Sequence, residues 1–414
     1  MNKNLKKEEL CLLRLLCMAI GKTGAKKVSA EHLHCNQETL LQIAEKHAVL
    51  PLLYDVLEKM GHLDEVVFED FQKKCQITAI SNYRLLFLTR YLTTFLKEHG
   101  IIAVTLKGVS TASLYPVPEL RKSGDIDFLI PYVSDCEKAC LLLRQEGFAL
   151  KEKQSALHHK ELVNEEGISV ELHGMLAEPF ESQEINQYLD KLLMEYRLQV
   201  VENTEWGVSF YQPSESYHAF YLVLHMLQHF LRAGFGLKYL CDWVVFWNRP
   251  VLTRDKAVFL KLCMKSGTLG FVQVMTAVCI RYLGLKKNGV EFLYKRNGMD
   301  FGIRVTEEQI QDFLRDILNA GEFGHSAENR MVAMRGTGPV AYIREFHHQM
   351  HLNFPAAGRN ILLWPGLWGV TLYRFMRNNQ KIRGGSGQQI LKEARKRSRL
   401  VEGLKLFKKV KGMA

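Results

Sequence analysis

The sequence predicts an α+β protein, in which a small mixed sheet forms a core flanked by N-terminal and C-terminal helical regions. Three observations support this class. Apolar residues recur with helical spacing through most of the first 100 residues. From residue 101 short β-branched runs alternate with glycine and proline turns. From residue 214 the helical pattern resumes. Strands and helices that alternate and end in a hairpin indicate a mixed sheet with helices packed on it.

The 414 residues are enough for two or three domains, and 47% hydrophobic with 24% charged residues is ordinary for a globular protein. We expect an N-terminal helical region at 1–84, a sheet core at 85–205 and a C-terminal helical region at 206–345. An apolar and then basic segment follows at 346–414.

After a first helix at 10–20, the N-terminal region contains three further predicted helices. Asn36 is placed to cap a helix over 38–47, and Pro51 precedes a helix over 52–60 that Gly61 ends. A longer helix is predicted over 68–98.

The core is predicted to begin with a buried strand at 101–106, a turn at Gly108 and a short helix at 110–114. Pro116 and Pro118 then form an extended loop before a strand at 125–130. Ser134 is expected to cap a helix that Gly147 ends. Two further strands, at 156–163 and 168–173, are predicted to be joined by a hairpin at 164–167. Beyond 214, Gly234 and Gly236 divide residues 216–247 into two helices, and more helices continue to about 320.

Asp125 and Asp127 are the most informative residues, because side chains two apart on a strand point to the same face. Two neighbouring carboxylates repel unless a cation lies between them. Mg²⁺ is the expected cation, since it prefers oxygen ligands shared with phosphates. Glu171, on a later strand with His173, would complete a cluster for two Mg²⁺ ions, or Mn²⁺. The alternative is that Asp125 caps a turn, Asp127 forms an ion pair and Glu171 is a surface acid.

A phosphate-binding turn is predicted just upstream. A strand, a tight glycine turn and a helix start direct backbone N–H groups toward an anion. Gly108 supplies the turn, Lys107 a positive charge and Ser110 a hydroxyl group. Arg121 is a second candidate phosphate ligand, or a surface arginine.

His225 and His229 are four residues apart on a predicted helix, in the spacing of helical zinc pairs. His218 lies on the same predicted face. Three roles stay open for these histidines: metal ligands, substrate-facing groups or packed polar residues. Asp242, in an apolar helix, would need a partner if it is buried. Together with His173, we expect His225, His229 and Asp242 to face an acceptor substrate.

Cysteine spacing and charge bear on location and partners. Nine irregularly spaced cysteines without a CxxC motif favour reduced thiols in a cytoplasm. The apolar run at 10–20 is expected to be a first helix and not a signal peptide, because Arg14 interrupts it. Residues 374–414 contain thirteen Lys or Arg and two Glu. The resulting charge of +11 equals the net charge of the whole chain. This segment could contact nucleic acid, an anionic membrane surface or an acidic partner, or be a solvated tail.

Several motifs resemble those of an uncharacterised bacterial nucleotidyltransferase family of the DNA polymerase β-like superfamily. The resemblance covers about residues 40–250 and rests on Ala44-Glu-Lys-His47, Pro51-Leu-Leu-Tyr54, Leu106-Lys-Gly108, Leu114-Tyr-Pro116, Arg121, Asp125-Ile-Asp127, Val170-Glu-Leu-His173 and the series His225, His229, Asp242. It implies a core in which Asp125, Asp127 and Glu171 hold two Mg²⁺ ions and the Gly108 turn grips a triphosphate. Val109 departs from the superfamily pattern, which usually has Gly or Ser there.

The expected activity is metal-dependent transfer of an NMP from an Mg-NTP donor to an unknown hydroxyl acceptor, with release of pyrophosphate. The acceptor is expected to be a small molecule. Two alternatives stay open. One is transfer to RNA or protein. The other is a non-catalytic protein that binds a nucleotide or a membrane surface, for which residues 361–368 would be an apolar anchor before the basic segment.

Overall fold

The structure is a computed structural model. It describes residues 5–21, 35–61, 63–151, 159–180, 182–204, 206–232, 234–296, 299–300, 305–322, 339–354, 356–383 and 397–407.

Four helices form the N-terminal region: α1 (Lys7–Ala19), α2 (Gln37–Lys46), α3 (Tyr54–Met60) and α4 (Glu65–Glu98). The predicted cap of α2 is confirmed, because the Asn36 side chain accepts a hydrogen bond from the Thr39 amide at 2.8 Å. Gly61 ends α3 with a φ of +60°. A 3-10 turn, Pro51–Leu53, precedes α3. The long helix α4 begins three residues earlier than predicted, because the Asp64 side chain caps it at the Val66 amide.

A seven-stranded mixed sheet follows, with strand order β3-β4-β5-β2-β1-β7-β6. The β2–β5 and β1–β7 pairs are parallel and the other pairs are antiparallel. The strands are β1 (Val104–Thr105), β2 (Asp125–Leu129), β3 (Ala149–Leu150), β4 (His159–Val163), β5 (Ser169–His173), β6 (Val200–Asn203) and β7 (Phe210–Pro213). The helices between them are α5 (Val109–Ala112), α6 (Val133–Gln145) and α7 (Gln183–Leu198).

The α+β class is confirmed, while several details of the sheet differ from the prediction. The hairpin at 164–167 does join two antiparallel strands. The predicted strand at 101–106 contains only the two residues of β1, and residues 156–158 of the predicted third strand lie outside the described residues. The predicted Ser134 cap is wrong, because α6 already begins at Val133 after Tyr132. The sequence pattern did not indicate β3, β6 or β7, and β7 lies beyond residue 205.

The C-terminal region is helical, as predicted, and the break at Gly234 and Gly236 separates two helices. The helices within the predicted range are α8 (Glu215–Arg232), α9 (Leu237–Asn248), α10 (Thr253–Lys265), α11 (Leu269–Tyr282), α12 (Lys287–Val290) and α13 (Glu307–Ala320). Two further helices, α14 (Pro339–Asn353) and α15 (Trp364–Arg383), were not predicted. A two-stranded hairpin, β8 (Lys295–Arg296) and β9 (Met299–Asp300), lies between α12 and α13. Among the described residues no helix is both long enough and apolar enough to cross a bilayer.

Two hydrophobic clusters hold these elements together. The larger cluster joins the N-terminal and C-terminal helices and includes Trp243 and Trp247. The smaller one lies between the sheet, α4 and α6, and it contains Ile126 and Phe128 of β2. Because side chains alternate along a strand, Asp125 and Asp127 of β2 project from the opposite face.

Part of the basic C-terminal segment packs on the helical region. Arg397 donates two hydrogen bonds of 2.8 Å to the Asp316 carboxylate, and Val401 and Leu404 are buried. Residues 397–407 are therefore a packed element, so the prediction of a solvated tail is wrong for them. In the predicted apolar anchor, by contrast, Ile361 and Leu362 are exposed.

Candidate active site

Three acidic side chains come together on one face of the sheet. In the parallel pairing of β2 with β5, Asp127 lies opposite Glu171 and Leu129 opposite His173. Asp125 precedes Asp127 by two residues and shares its face. Asp127 is fully buried, while Asp125 and Glu171 are partly exposed. The sheet therefore collects Asp125, Asp127, Glu171 and His173 at one place, as strand alternation suggested.

Two cationic side chains lie between these carboxylates. The Lys107 Nζ atom is 3.5 Å from Asp125 Oδ2 and 3.2 Å from Asp127 Oδ2. The His173 Nε2 atom is 3.0 Å from Asp127 Oδ1 and 3.2 Å from Glu171 Oε2. Lys107 and His173 thus neutralise much of the repulsion that the carboxylates would otherwise feel.

The pKa values of these groups reflect the ion pairs. Burial lowers the pKa of His173, but hydrogen bonds to Asp127 and Glu171 outweigh it and raise that pKa to about 9. Burial also lowers the pKa of Lys107, but the charges of Asp125 and Asp127 outweigh burial and raise that pKa well above its usual value. Burial raises the pKa of Glu171, but the hydrogen bond from His173 outweighs burial and leaves that pKa below its usual value. Both cations and the Glu171 carboxylate are therefore charged at neutral pH.

Asp127, Glu171 and His173 form the one group of potential metal ligands among the described residues. Their ligand atoms lie within 4.8 Å of one another. This set contains His173 in place of the predicted Asp125, whose carboxylate faces Lys107. Two carboxylates and an imidazole fit a divalent cation, and the buried Asp127 Oδ2 atom accepts no hydrogen bond. Because a coordinating imidazole must be neutral, an ion bound here would displace the His173 proton.

Gly108 forms the predicted turn between β1 and α5. Its φ is +66° and its ψ is −114°, and a Cβ atom there would lie 3.3 Å from the Asp125 carbonyl oxygen. The first intrahelical bond runs from the Ala112 amide to the Gly108 carbonyl, so the three preceding amides have no acceptor within the helix. Ser110 is buried and donates to the Lys107 carbonyl at 3.2 Å. The turn therefore places these amides beside Lys107 and the acids.

Arg121 and Asp242 are brought together in a buried pair. The Arg121 Nε and Nη2 atoms donate to the two Asp242 carboxylate oxygens at 2.8 and 2.7 Å. The Tyr115 hydroxyl group donates to the same carboxylate at 2.7 Å. The expectation that a buried Asp242 would need a partner is confirmed. The two side chains neutralise each other in this pair, and the roles of Arg121 as a phosphate ligand and of Asp242 as an acceptor contact stay predictions.

His225 and His229 of α8 form a neutral pair near the acids. Their Nε2 atoms are 3.2 Å apart, and the Tyr239 ring lies 5.4 and 5.5 Å from the two imidazole rings. Burial, aided by the positive charge of Lys107, lowers the pKa of His225 well below its usual value and that of His229 to about 4. His218 is separate, buried against the Phe246 ring. Of the three open roles, a substrate-facing one fits His225 and His229, and a packed one fits His218.

Several residues near the site were missed by sequence reasoning. Tyr221 precedes His225 by one helical turn, and its pKa rises because of burial and the nearby Asp127 charge. Lys238 and Tyr239 lie within one turn before Asp242 on α9. Tyr221 lies four residues before His225, and Lys238 lies four residues before Asp242. Residues three or four apart share a helix face, so this spacing could have identified them. Glu322, which contacts Lys238 at 2.8 Å, has no such signal, because it follows α13, far along the chain.

A protein-family model described as an uncharacterised nucleotidyltransferase matches residues 34–284, more than half of the chain. The matched range contains all the predicted site residues. No curated protein shows a significant match to the chain.

Proposed function

Because the chain belongs to this family of uncharacterised nucleotidyltransferases, we propose that it transfers an NMP from an Mg-NTP donor to the hydroxyl group of a small acceptor. The single observation that carries the proposal is the meeting of Asp125, Asp127 and Glu171 beside the Gly108 turn. A turn followed by two acids on one strand and a third on its neighbour also supports membership of the DNA polymerase β-like superfamily.

The Gly108 turn and Lys107 would bind the triphosphate. The amides at the start of α5 point a partial positive charge toward an anion, and Lys107 adds a full charge. Lys107 pairs with Asp125 and Asp127 in the structure. A phosphate group would therefore replace an internal carboxylate as its partner.

Asp125, Asp127 and Glu171 would hold two divalent cations, with His173 as a further donor. Mg²⁺ or Mn²⁺ would supply electrostatic stabilisation of the negative charge on the reacting phosphate. Lys107 and His173 each lie between two carboxylates of the site. These two bridging positions support a site for two cations.

The reaction would join the acceptor oxygen to the α-phosphorus of the NTP. The bond from that phosphorus to the oxygen bridging to the β-phosphate breaks, and pyrophosphate leaves. Glu171 accepts the hydroxyl proton, since the lowered pKa keeps it ionised. His225 and His229 face the same site and are neutral, so they would orient the acceptor by hydrogen bonds.

A small acceptor fits this site better than RNA or protein. The wall made by Tyr221, His225 and Tyr239 is largely buried. Within the basic segment, Arg397 is already paired with Asp316, which removes one charge from any nucleic-acid surface. Contact of residues 374–414 with nucleic acid or an anionic membrane stays a prediction, as does a location in the cytoplasm. No disulfide joins the nine cysteines, which is compatible with a reducing compartment.

The proposal is tested by thermal shift of the purified protein with each NTP, with and without Mg²⁺. A ligand that binds only the folded state stabilises it by about 2.7 kcal/mol at a hundred times its Kd. We expect an Mg²⁺-dependent rise in Tm with at least one NTP. Asp127→Asn should abolish the rise, because it removes the charge shared between both bridging positions.

Asp190→Asn is the matched control, since Asp190 is exposed on α7, away from the acids. It should keep the full shift. Glu171→Gln provides a second site variant if Asp127→Asn is poorly folded. A folded wild-type protein that shows no shift with any NTP, or a site variant that keeps the shift, would refute the proposed donor site.

A further inference from the structure

A second cationic centre lies beside the candidate active site. The Lys238 Nζ atom is 2.8 Å from Glu322 Oε1, and the Lys122 Nζ atom is 3.2 Å from Glu322 Oε2. Lys238 is only 7% exposed, and its Nζ atom lies 5.2 Å from the centre of the Tyr239 ring. One carboxylate thus joins a buried lysine on α9 to a half-exposed lysine three residues before Asp125.

The His225–His229 pair connects this centre to the acids. The positive charges of both Lys107 and Lys238 lower the pKa values of the two histidines. The Tyr239 ring contacts both imidazoles and also lies near Lys107, Glu322 and Asp125. An acceptor whose hydroxyl group reaches the acids past the histidines would therefore have another part near Lys238.

Lys238 is costly to bury. Desolvation and the nearby Arg121 charge both lower its pKa, and the Glu322 carboxylate opposes them. A buried cation of this kind needs an anionic partner. Arg121 already has its own partner in Asp242, so the anion at Lys238 is the Glu322 carboxylate.

Glu322 reaches the lysines from a turn that is held in place. Its amide donates to the Lys46 carbonyl at 2.8 Å. Gly321 before it has a φ of +73°, and a Cβ atom there would lie 3.1 Å from the Lys46 side chain. Only the Glu322 side chain, and not the backbone of this turn, would have to move for the lysines to accept another anion.

We propose that Lys238 and Lys122 form an anion subsite for the acceptor, and that the anionic group of the acceptor displaces the Glu322 carboxylate that pairs with both lysines. The acceptor therefore carries a carboxylate or a phosphate group in addition to its hydroxyl group. This inference rests on the proposed function only in assigning the subsite to the acceptor. Binding of an anion at the subsite itself requires neither NTP nor metal. Lys107, which faces Asp125 and Asp127 beside the Gly108 turn, is the cation for the triphosphate.

Anion binding can be measured without knowledge of the acceptor. The probes are inorganic phosphate and acetate, titrated in metal-free buffer at constant ionic strength, with Tm as the readout. A tethered carboxylate competes at an effective concentration in the millimolar range or above. We therefore expect Glu322→Gln to lower the apparent Kd of one or both anions about tenfold. The anion that gains more identifies the acceptor group as phosphate or carboxylate.

Replacing one of the two lysines of the subsite should reverse the gain in anion affinity. Glu322→Gln with Lys238→Gln should bind each anion at least about tenfold more weakly than Glu322→Gln alone. Lys122→Gln, at a half-exposed position, serves the same purpose if the Lys238 variant does not fold. Lys74→Gln is the matched control, since Lys74 bridges Glu45 and Asp70 at the surface, and it should change nothing.

Two outcomes would overturn the subsite. One is an anion affinity that Glu322→Gln leaves unchanged. The other is a gain that persists when Lys238→Gln, or Lys122→Gln in its place, is added to Glu322→Gln. Competition between phosphate and a non-hydrolysable Mg-NTP in Glu322→Gln would overturn its assignment to the acceptor. The titrations are repeated in Asp127→Asn, where NTP binding is lost and the subsite should persist. Failure of the donor site is thereby separated from failure of this inference.

Discussion

Gly108 shows how one residue can determine the geometry of the acids. Its φ and ψ of +66° and −114° lie in a region that residues with a side chain rarely adopt. A side chain there would also approach the Asp125 carbonyl oxygen to 3.3 Å. The strand that carries Asp125 and Asp127 is thus packed directly against the turn.

We predict that Gly108→Ala lowers the free energy of unfolding by about 2 kcal/mol, from backbone strain and this close contact. Gly61→Ala is the control, because Gly61 has a similar φ of +60° and a Cβ atom there would meet nothing within 4 Å. Urea denaturation of both variants measures the difference. Equal losses would contradict the prediction, because Gly61 has a ψ of +28°, in the left-handed region that alanine adopts at lower cost.

The roles of single residues were only partly predictable from sequence. Alternation along a strand was enough to place Asp125 with Asp127 and Glu171 with His173. No local pattern could show that Arg121 pairs with Asp242, because this contact joins residues 121 positions apart. The same limit explains why Lys238 was overlooked as a partner of Glu322.

At the scale of elements, periodicity predicted the long helices α4, α8 and α9, but it missed α7, α14 and α15 and most of the short strands. A helix of four or more turns repeats its apolar spacing often enough to stand out, as α4 does. The strands β3 and β6 have two and four residues, and β3 exposes both of its side chains. Such short strands are established by pairing with neighbours, which the local sequence does not contain.

The packing of residues 397–407 on α11 gives an element-scale prediction. A Cβ atom on Gly270 would clash with the Leu404 carbonyl oxygen. We expect Gly270→Ala to displace this segment, although replacing glycine in a helix normally stabilises it by about 1 kcal/mol. Hydrogen exchange of residues 397–407 should become faster in the variant.

Gly366→Ala in α15 is the control for that prediction, because a Cβ atom there meets nothing within 4 Å. It should leave the exchange of 397–407 unchanged and stabilise the protein slightly. If Gly270→Ala behaves in the same way, the C-terminal segment is not held against α11 by this contact.

At the scale of the whole molecule, buried histidines link stability to pH. Burial, together with the Arg249 charge, lowers the pKa of His218 to about 3, against 6.5 in an unfolded chain. Between these values the unfolded state binds more protons than the folded state, so stability falls as the pH falls. His173 acts in the other direction: its pKa of about 9 adds stability below pH 6.5 that is lost as the pH rises through 9.

We predict that lowering the pH from 6.5 to 5 removes about 2 kcal/mol of stability through His218. His218→Phe keeps a ring against Phe246 and should reduce the acid sensitivity by that amount. Urea denaturation of both proteins at the two pH values tests this. Identical pH dependence would show that His218 does not carry the effect.

The turn at Glu322 also affects how late during synthesis the contacts around Lys238 can form. Its amide bonds to Lys46, and its carboxylate reaches Lys122 and Lys238, so residues from four distant parts of the chain meet there. Contacts across such long intervals form late, because each must first overcome the entropy of closing a long loop. A ribosome will have translated Asp125 and Asp127 nearly 200 residues before Glu322 emerges. Lys238 is translated 84 residues before Glu322, so for that interval the nascent chain holds the lysine without its carboxylate partner. Chaperone contact should therefore be most valuable until Glu322 has been made.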